Sequence, residues 1–102
     1  MSAMNTPERT RIMVTAATKP RLPRHIKLRH DEGRGRWVIL APERVFTPDD
    51  TAVAVLQKCD GERSVEDIAR ALSEEYQAPF DVILGDILPM LQDLSDKGVV
   101  KA

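Results

Sequence analysis

From Ile26 the chain alternates. Ile26, Leu28 and His30 fall on one side, with Lys27, Arg29 and Asp31 on the other, which is the period of a half-buried strand. Gly33-Arg34-Gly35 makes a flexible turn, and the apolar run Trp37-Val38-Ile39-Leu40-Ala41 behind it predicts a central strand covered on both faces. Pro42 breaks the run, and Arg44-Val45-Phe46-Thr47 forms a third, short strand. Proline cannot donate to a ladder, so a strand held between Pro42 and Pro48 belongs at the sheet edge.

The period then changes to that of helices. Thr47 suits an N-cap, Pro48 the first helical position, and Asp49 and Asp50 the positive end of the helix dipole. Ala52, Val55, Leu56 and Cys59 recur at helical spacing before Gly61 stops the run. A second helix opens at Ser64 with Asp67 in capping-box position and buries Val65, Ile68, Ala69, Leu72 and Tyr76. A third begins near Pro79, carries Ile83, Ile87, Met90, Leu91 and Leu94, and ends at Gly98. Pro89 lies inside it and presses on the carbonyl of Gly85, which predicts a bend. Val99 and Val100 suit a short terminal strand. These elements make an α+β domain over residues 20–102, a three-stranded antiparallel meander followed by three helices, winged-helix-like. Residues 1–19 show no periodicity and read as a disordered tail or linker.

Composition limits what such a domain can be. A chain of 102 residues has room for one modest core. With two Phe, one Trp and one Tyr, that core must be aliphatic. One cysteine, Cys59, cannot form an internal disulfide and fits a reducing compartment. No apolar run approaches the roughly 20 residues that span a bilayer, and no signal peptide is evident, so the protein is expected in the cytoplasm. The net charge of −1 hides an asymmetry. Residues 1–44 hold ten Lys/Arg against four Asp/Glu, while residues 45–102 hold five against twelve.

Candidate chemistry is sparse. The two histidines, His25 and His30, are five residues apart on a strand and point to opposite faces, so no metal site is expected. Cys59 falls on the apolar stripe of the first helix, as a buried thiol does. No glycine-rich phosphate loop or nucleophile elbow is present, and neither an enzyme nor a cofactor is expected. A nucleic-acid-binding or adaptor winged helix is the alternative reading. DNA binding needs cations on the recognition helix, whereas the third helix carries Asp81, Asp86, Asp93 and Asp96 against Lys97.

The remaining class is a surface for another chain. The third strand leaves an open edge, beside which the apolar third helix can wall a groove for an extended peptide. Two or three backbone hydrogen bonds give about 1 kcal/mol each, while micromolar binding needs about 8 kcal/mol. Apolar anchors, each worth roughly 1.5–3 kcal/mol when fully buried, must therefore enter the groove. Ile87, Met90, Leu91 and Leu94 are suitable linings, and Met90 adapts to varied shapes.

The run Arg36-Trp37-Val38-Ile39-Leu40-Ala41-Pro42-Glu43-Arg44-Val45, then Cys59-Asp60-Gly61, then Tyr76 and the pair Asp86-Ile87 resemble the PqqD family of pyrroloquinoline quinone biosynthesis. The likeness runs from about Pro20 to Val100. It departs from the family at Pro48-Asp49, where an aliphatic residue or Asn is usual, which alters the start of the first helix. The resemblance implies a non-catalytic peptide chaperone. Such a chaperone binds the precursor peptide PqqA and presents it to PqqE, a radical S-adenosylmethionine enzyme that crosslinks a Glu and a Tyr within it. The same domain type serves as leader-recognition element for other ribosomally made, modified peptides. The peptide is expected to pair with Glu43, Arg44, Val45, Phe46 and Thr47, and to pack on Ile83, Ile87, Met90, Leu91 and Leu94. Some members are fused behind PqqC, an origin that a linker over 1–19 would suit. Charge and position suggest the hairpin at Arg34, Gly35 and Arg36 as the surface facing the enzyme.

Overall fold

The computed structural model describes residues 13–102. Its elements follow the expected order: strands β1 (Lys27–Asp31), β2 (Arg36–Ala41) and β3 (Arg44–Phe46), then helices α1 (Asp50–Leu56), α2 (Val65–Tyr76) and α3 (Phe80–Asp96). The strands form an antiparallel meander in the order β1-β2-β3.

Register decides which residues of the sheet meet the helices. Leu28, Ile39 and Phe46 stand opposite one another across the three strands, and this row faces the core. The next row, Lys27, Leu40 and Val45, must face away, because side chains alternate along a strand. Leu40 is 38% and Val45 65% exposed, which corrects the expectation that β2 is covered on both faces. Three helices that follow the sheet in sequence supply a single covering layer, and the core lies on the Ile39 side.

The core itself joins Val55 and Leu56 of α1, Ile68, Ala69 and Leu72 of α2, and Ile87 and Leu91 of α3. α2 begins where Ser64 and Asp67 form the expected capping box. The first four N–H groups of a helix lack partners within it, and here each one is satisfied. Val65 donates to the Thr18 carbonyl (2.8 Å) and Glu66 to that of Ala16 (2.9 Å). Asp67 donates to the Ser64 hydroxyl (3.1 Å), and the Ser64 N–H itself to the Asp67 carboxylate (3.1 Å). The expected tail over 1–19 lies outside the described residues for its first twelve. Over Met13–Lys19 the backbone runs beside α2 and α3, where the Val14 N–H also donates to Gln92 Oε1 (2.8 Å).

Four further expectations are corrected. α1 is capped by Asp49, whose carboxylate accepts from Ala52 N–H at 2.8 Å, not by Thr47. The carboxylate is at least as good a cap as a threonine hydroxyl, so the helix starts two residues later. α1 also ends at Leu56 with Gln57 as its C-cap, well before Gly61. Tyr76 is 60% exposed, because it occupies the last turn of α2 beyond the end of the core. Val99 and Val100 are buried, but the terminal pairing is a single bridge between Arg21 and Lys101 (2.9 and 2.7 Å). α3 continues through Pro89, and both Pro89 and Gly85 lie on its exposed side.

The Cys59-Asp60-Gly61 motif ties this frame together. Gly61 N–H donates to the Pro20 carbonyl (2.9 Å) with φ +81°, a backbone state that costs other residues about 1–2 kcal/mol. The Asp60 carboxylate accepts the N–H groups of Glu62 and Arg63, both at 2.9 Å, and these bonds hold it below the usual carboxylate range. The Cys59 thiol donates to the Val55 carbonyl (3.3 Å), and burial, aided by the Asp60 charge, pushes it up to about 12.

Two predictions follow from this frame. Gly61→Ala should lower stability by about 1–2 kcal/mol in urea unfolding, whereas Gly85→Ala, helical and open to solvent, should raise it by about 0.5–1 kcal/mol. The Cys59 thiol should resist iodoacetamide at pH 8 in the folded protein and react at the rate of an ordinary thiol in urea. Equal rates in both states would contradict its burial.

Candidate peptide-binding site

Among the described residues β3 pairs with β2 along one side only. The two strands are joined by Pro42-Glu43, with Glu43 at φ +63°, the sign that a type II turn, though not a type I turn, has at its third position. A two-residue turn closes on Ala41 and Arg44, which stand opposite each other. Hydrogen-bonded and non-bonded pairs alternate in an antiparallel ladder, so Phe46 bonds inward to Ile39. Val45, between the bonded positions, directs its N–H and C=O to the open side. The side chains divide the other way. Phe46 points to the helix layer and carries the Arg44 guanidinium over its ring at 5.6 Å, while Val45 points to the uncovered face.

α3 supplies the facing wall. Ile83, Ile87, Met90 and Leu94 recur every three or four residues and share one stripe, about 16 Å long at 1.5 Å per residue. Two hollows open along it. One, of about 230 Å³, lies between Phe46, Thr47 and Pro48 on one side and Met90 and Leu94 on the other, with Ile39 and Ala52 also lining it. The second, of about 210 Å³, is bounded by Ala54 of α1, Leu72 and Tyr76 of α2, and Ile83 and Ile87 of α3. The start of α1 borders both.

The expected residues are therefore brought together unequally. Phe46, Thr47, Met90 and Leu94 meet around the first hollow. Ile83 borders the second, and Ile87 lines it at 1% exposure, as floor rather than wall. Leu91 is 0% exposed and belongs to the core, with no surface to offer a ligand. Reading the sequence also missed the walls given by Thr51, Ala54 and Tyr76. The exposed Tyr76 in a chain so poor in aromatics was the one available signal for them.

Elsewhere the chemistry is quiet. His30 sits edge-on to Trp37 (5.2 Å between ring centroids) and 3.0 Å from Glu32. His25 lies in the turn before β1, not on the strand as expected. Among the described residues no group of three or more His, Cys, Asp or Glu is placed to hold a metal ion. The β1–β2 hairpin is exposed at Arg34, Gly35 and Arg36. Its turn is closed by the Asp31 carbonyl, which accepts from Gly35 N–H at 2.7 Å, and Arg34 lies 3.8 Å from the Asp31 carboxylate.

Comparison with known proteins bears on this geometry. Residues 36–100 match the family described as Coenzyme PQQ synthesis protein D (PqqD). The chain is 59% identical over 87 residues to a "PqqA binding protein" of Bradyrhizobium diazoefficiens, covering 85% of this chain and 84% of the relative. It is 51% identical over 82 residues to the "Bifunctional coenzyme PQQ synthesis protein C/D" of Methylorubrum extorquens, covering 80% of this chain and 22% of that longer one. Among solved structures it is similar to the NMR structure of the PqqD truncation of Methylobacterium extorquens PqqCD, described as a functional, stand-alone RiPP recognition element. The TM-score there is 0.79 at 46% identity, covering 94% of this chain and all of the other. PqqD from Xanthomonas campestris gives a TM-score of 0.57 at 34% identity, covering 88% of this chain and all of the other.

Proposed function

The chain belongs to the PqqD family, and from that premise we propose that it is a non-catalytic chaperone that binds the precursor peptide PqqA and presents it to PqqE. The observation that carries the reading is the open edge of β3 beside an apolar hollow walled by Phe46, Met90 and Leu94. An extended peptide adds a fourth strand through Glu43, Val45 and Thr47 and places alternate side chains into the hollow.

The magnitudes agree with that division of labour. Two or three strand hydrogen bonds supply about 1 kcal/mol each. Two apolar anchors, one per hollow, supply roughly 1.5–3 kcal/mol each, so the sum reaches the neighbourhood of the 8 kcal/mol of micromolar binding. Edge and hollows are both needed. The family names support PqqA as the peptide, since relatives at this similarity are PqqA binding proteins. The M. extorquens relative, in which C and D share one chain, supports association with PqqC. We place the activity in the cytoplasm, where a lone thiol such as Cys59 stays reduced. Among the described residues no helix is long and apolar enough to cross a membrane.

Presentation to the enzyme requires a second surface. We assign it to the hairpin tip at Arg34, Gly35 and Arg36, which is exposed and leaves the β3 edge free. Arg34→Glu with Arg36→Glu should weaken PqqE binding while PqqA affinity holds. Unchanged PqqE affinity would move the enzyme to another face.

The strand reading makes a sharper prediction. Val45→Pro removes an N–H that faces solvent in the free protein, so the fold should survive while PqqA affinity falls at least tenfold. Phe46→Pro removes an N–H that bonds β2, and should destabilise the sheet itself. If Val45→Pro binds PqqA as the parent does, strand addition is wrong.

A further inference from the structure

The two hollows beside α3 differ in the state of their carboxylates. At the hollow walled by Phe46, Met90 and Leu94, both acids are already engaged. Asp93 pairs with Lys97 at 2.9 Å, and Asp49 caps α1. At the hollow lined by Ala54, Leu72, Ile83 and Ile87, the rim carries Asp50 from α1 and Asp86 from α3. Both are exposed, and neither makes an ion pair or side-chain hydrogen bond among the described residues. The cations of the neighbouring helices are taken elsewhere: Lys58 pairs with Glu75 (2.8 Å) and Arg70 with Glu66 (2.8 Å). An apolar floor is thus ringed by two negative charges that no ion pair among the described residues offsets, and by the exposed Tyr76.

We infer that the hollow between α1, α2 and α3 selects a peptide segment in which an aliphatic or aromatic side chain is followed or preceded, within one or two residues, by Lys or Arg. The apolar side chain fills the floor over Ile83 and Ile87, and the cation lies between Asp50 and Asp86. Its stem packs along Tyr76, as long cationic side chains do on apolar surface. This inference rests on the peptide-binding reading and adds what that reading lacks, a chemical rule for one part of the bound sequence. The pairs Ile83–Ile87 and Met90–Leu94 are centred about 10 Å apart along α3, and an extended chain advances about 3.3 Å per residue, so roughly three residues link the two hollows. The same peptide therefore meets β3 at one end and the acidic rim at the other. Acid-bearing segments are excluded from the rim by like charge.

The test uses the full chain and two probes. With PqqA, Asp50→Asn and Asp86→Asn should each weaken binding about two- to fivefold at about 0.05 M salt, the range of a partly exposed ion pair, and the loss should nearly vanish at about 0.5 M salt. Thermal melts confirm that the variants stay folded. With blocked dipeptides, leucyl-lysine should shift the backbone amides of Asp50, Tyr76 and Asp86, and leucyl-glutamate should not. If PqqA binds the parent and both Asn variants equally at low salt, the inference is overturned while the peptide-binding reading stands. If PqqA does not bind the parent at all, that reading fails, and the dipeptide pair decides the hollow's preference alone. Equal response to the two dipeptides overturns it.

Discussion

The third helix carries more apolar surface than a core of this size can cover. Ile87 and Leu91 fill the centre, and the same helix still presents Ile83, Met90 and Leu94 at half burial. Helical geometry places these on one stripe with Ile87, so the excess is not scattered. It forms a continuous band that the sheet and α1 only partly meet. A strand as short as Arg44–Phe46 cannot close over it, and the gap left between β3 and α3 is the groove.

The rest of the frame keeps that gap open and in register. Pro42 and Glu43 set a tight turn that fixes which residues of β3 face β2 and which face outward. Pro48 and the Asp49 cap end the strand and start α1 directly beside the groove. At the far side, the segment around Ala16–Pro20 saturates the start of α2 and docks on Gly61, so the helical layer is braced from behind. Charge follows the same division. Basic residues crowd the first 44 positions and acidic ones the remainder, with the carboxylates of Asp50 and Asp86 at the second hollow.

Much of this was legible in the sequence because it depends on local signals. Alternation over 26–31, the two prolines around the third strand, the Ser64–Asp67 box and the helical spacing of Ile83 to Leu94 each encode structure within a few residues. What failed depends on what packs where. The apolar run 37–41 has the same composition whether one face or both are covered, so the exposure of Leu40 was hidden. Tyr76 matches the helical stripe of α2 but lies past the edge of the core. Ile87 and Leu91 match the groove stripe as well as Met90 and Leu94 do, and only the position of the other helices divides them. The left-handed Glu43 carries no signal at all, since nothing in a glutamate announces a positive φ.

The central claim is that a peptide completes the sheet at the outward backbone of β3, and amide hydrogen exchange at Val45 tests it most directly. In the free protein the Val45 N–H should exchange fast while Phe46, bonded to β2, exchanges slowly. Saturation with PqqA should slow Val45 strongly and leave Phe46 little changed. Saturated binding with the Val45 amide still exchanging at its free rate would show that the peptide binds without pairing to this strand.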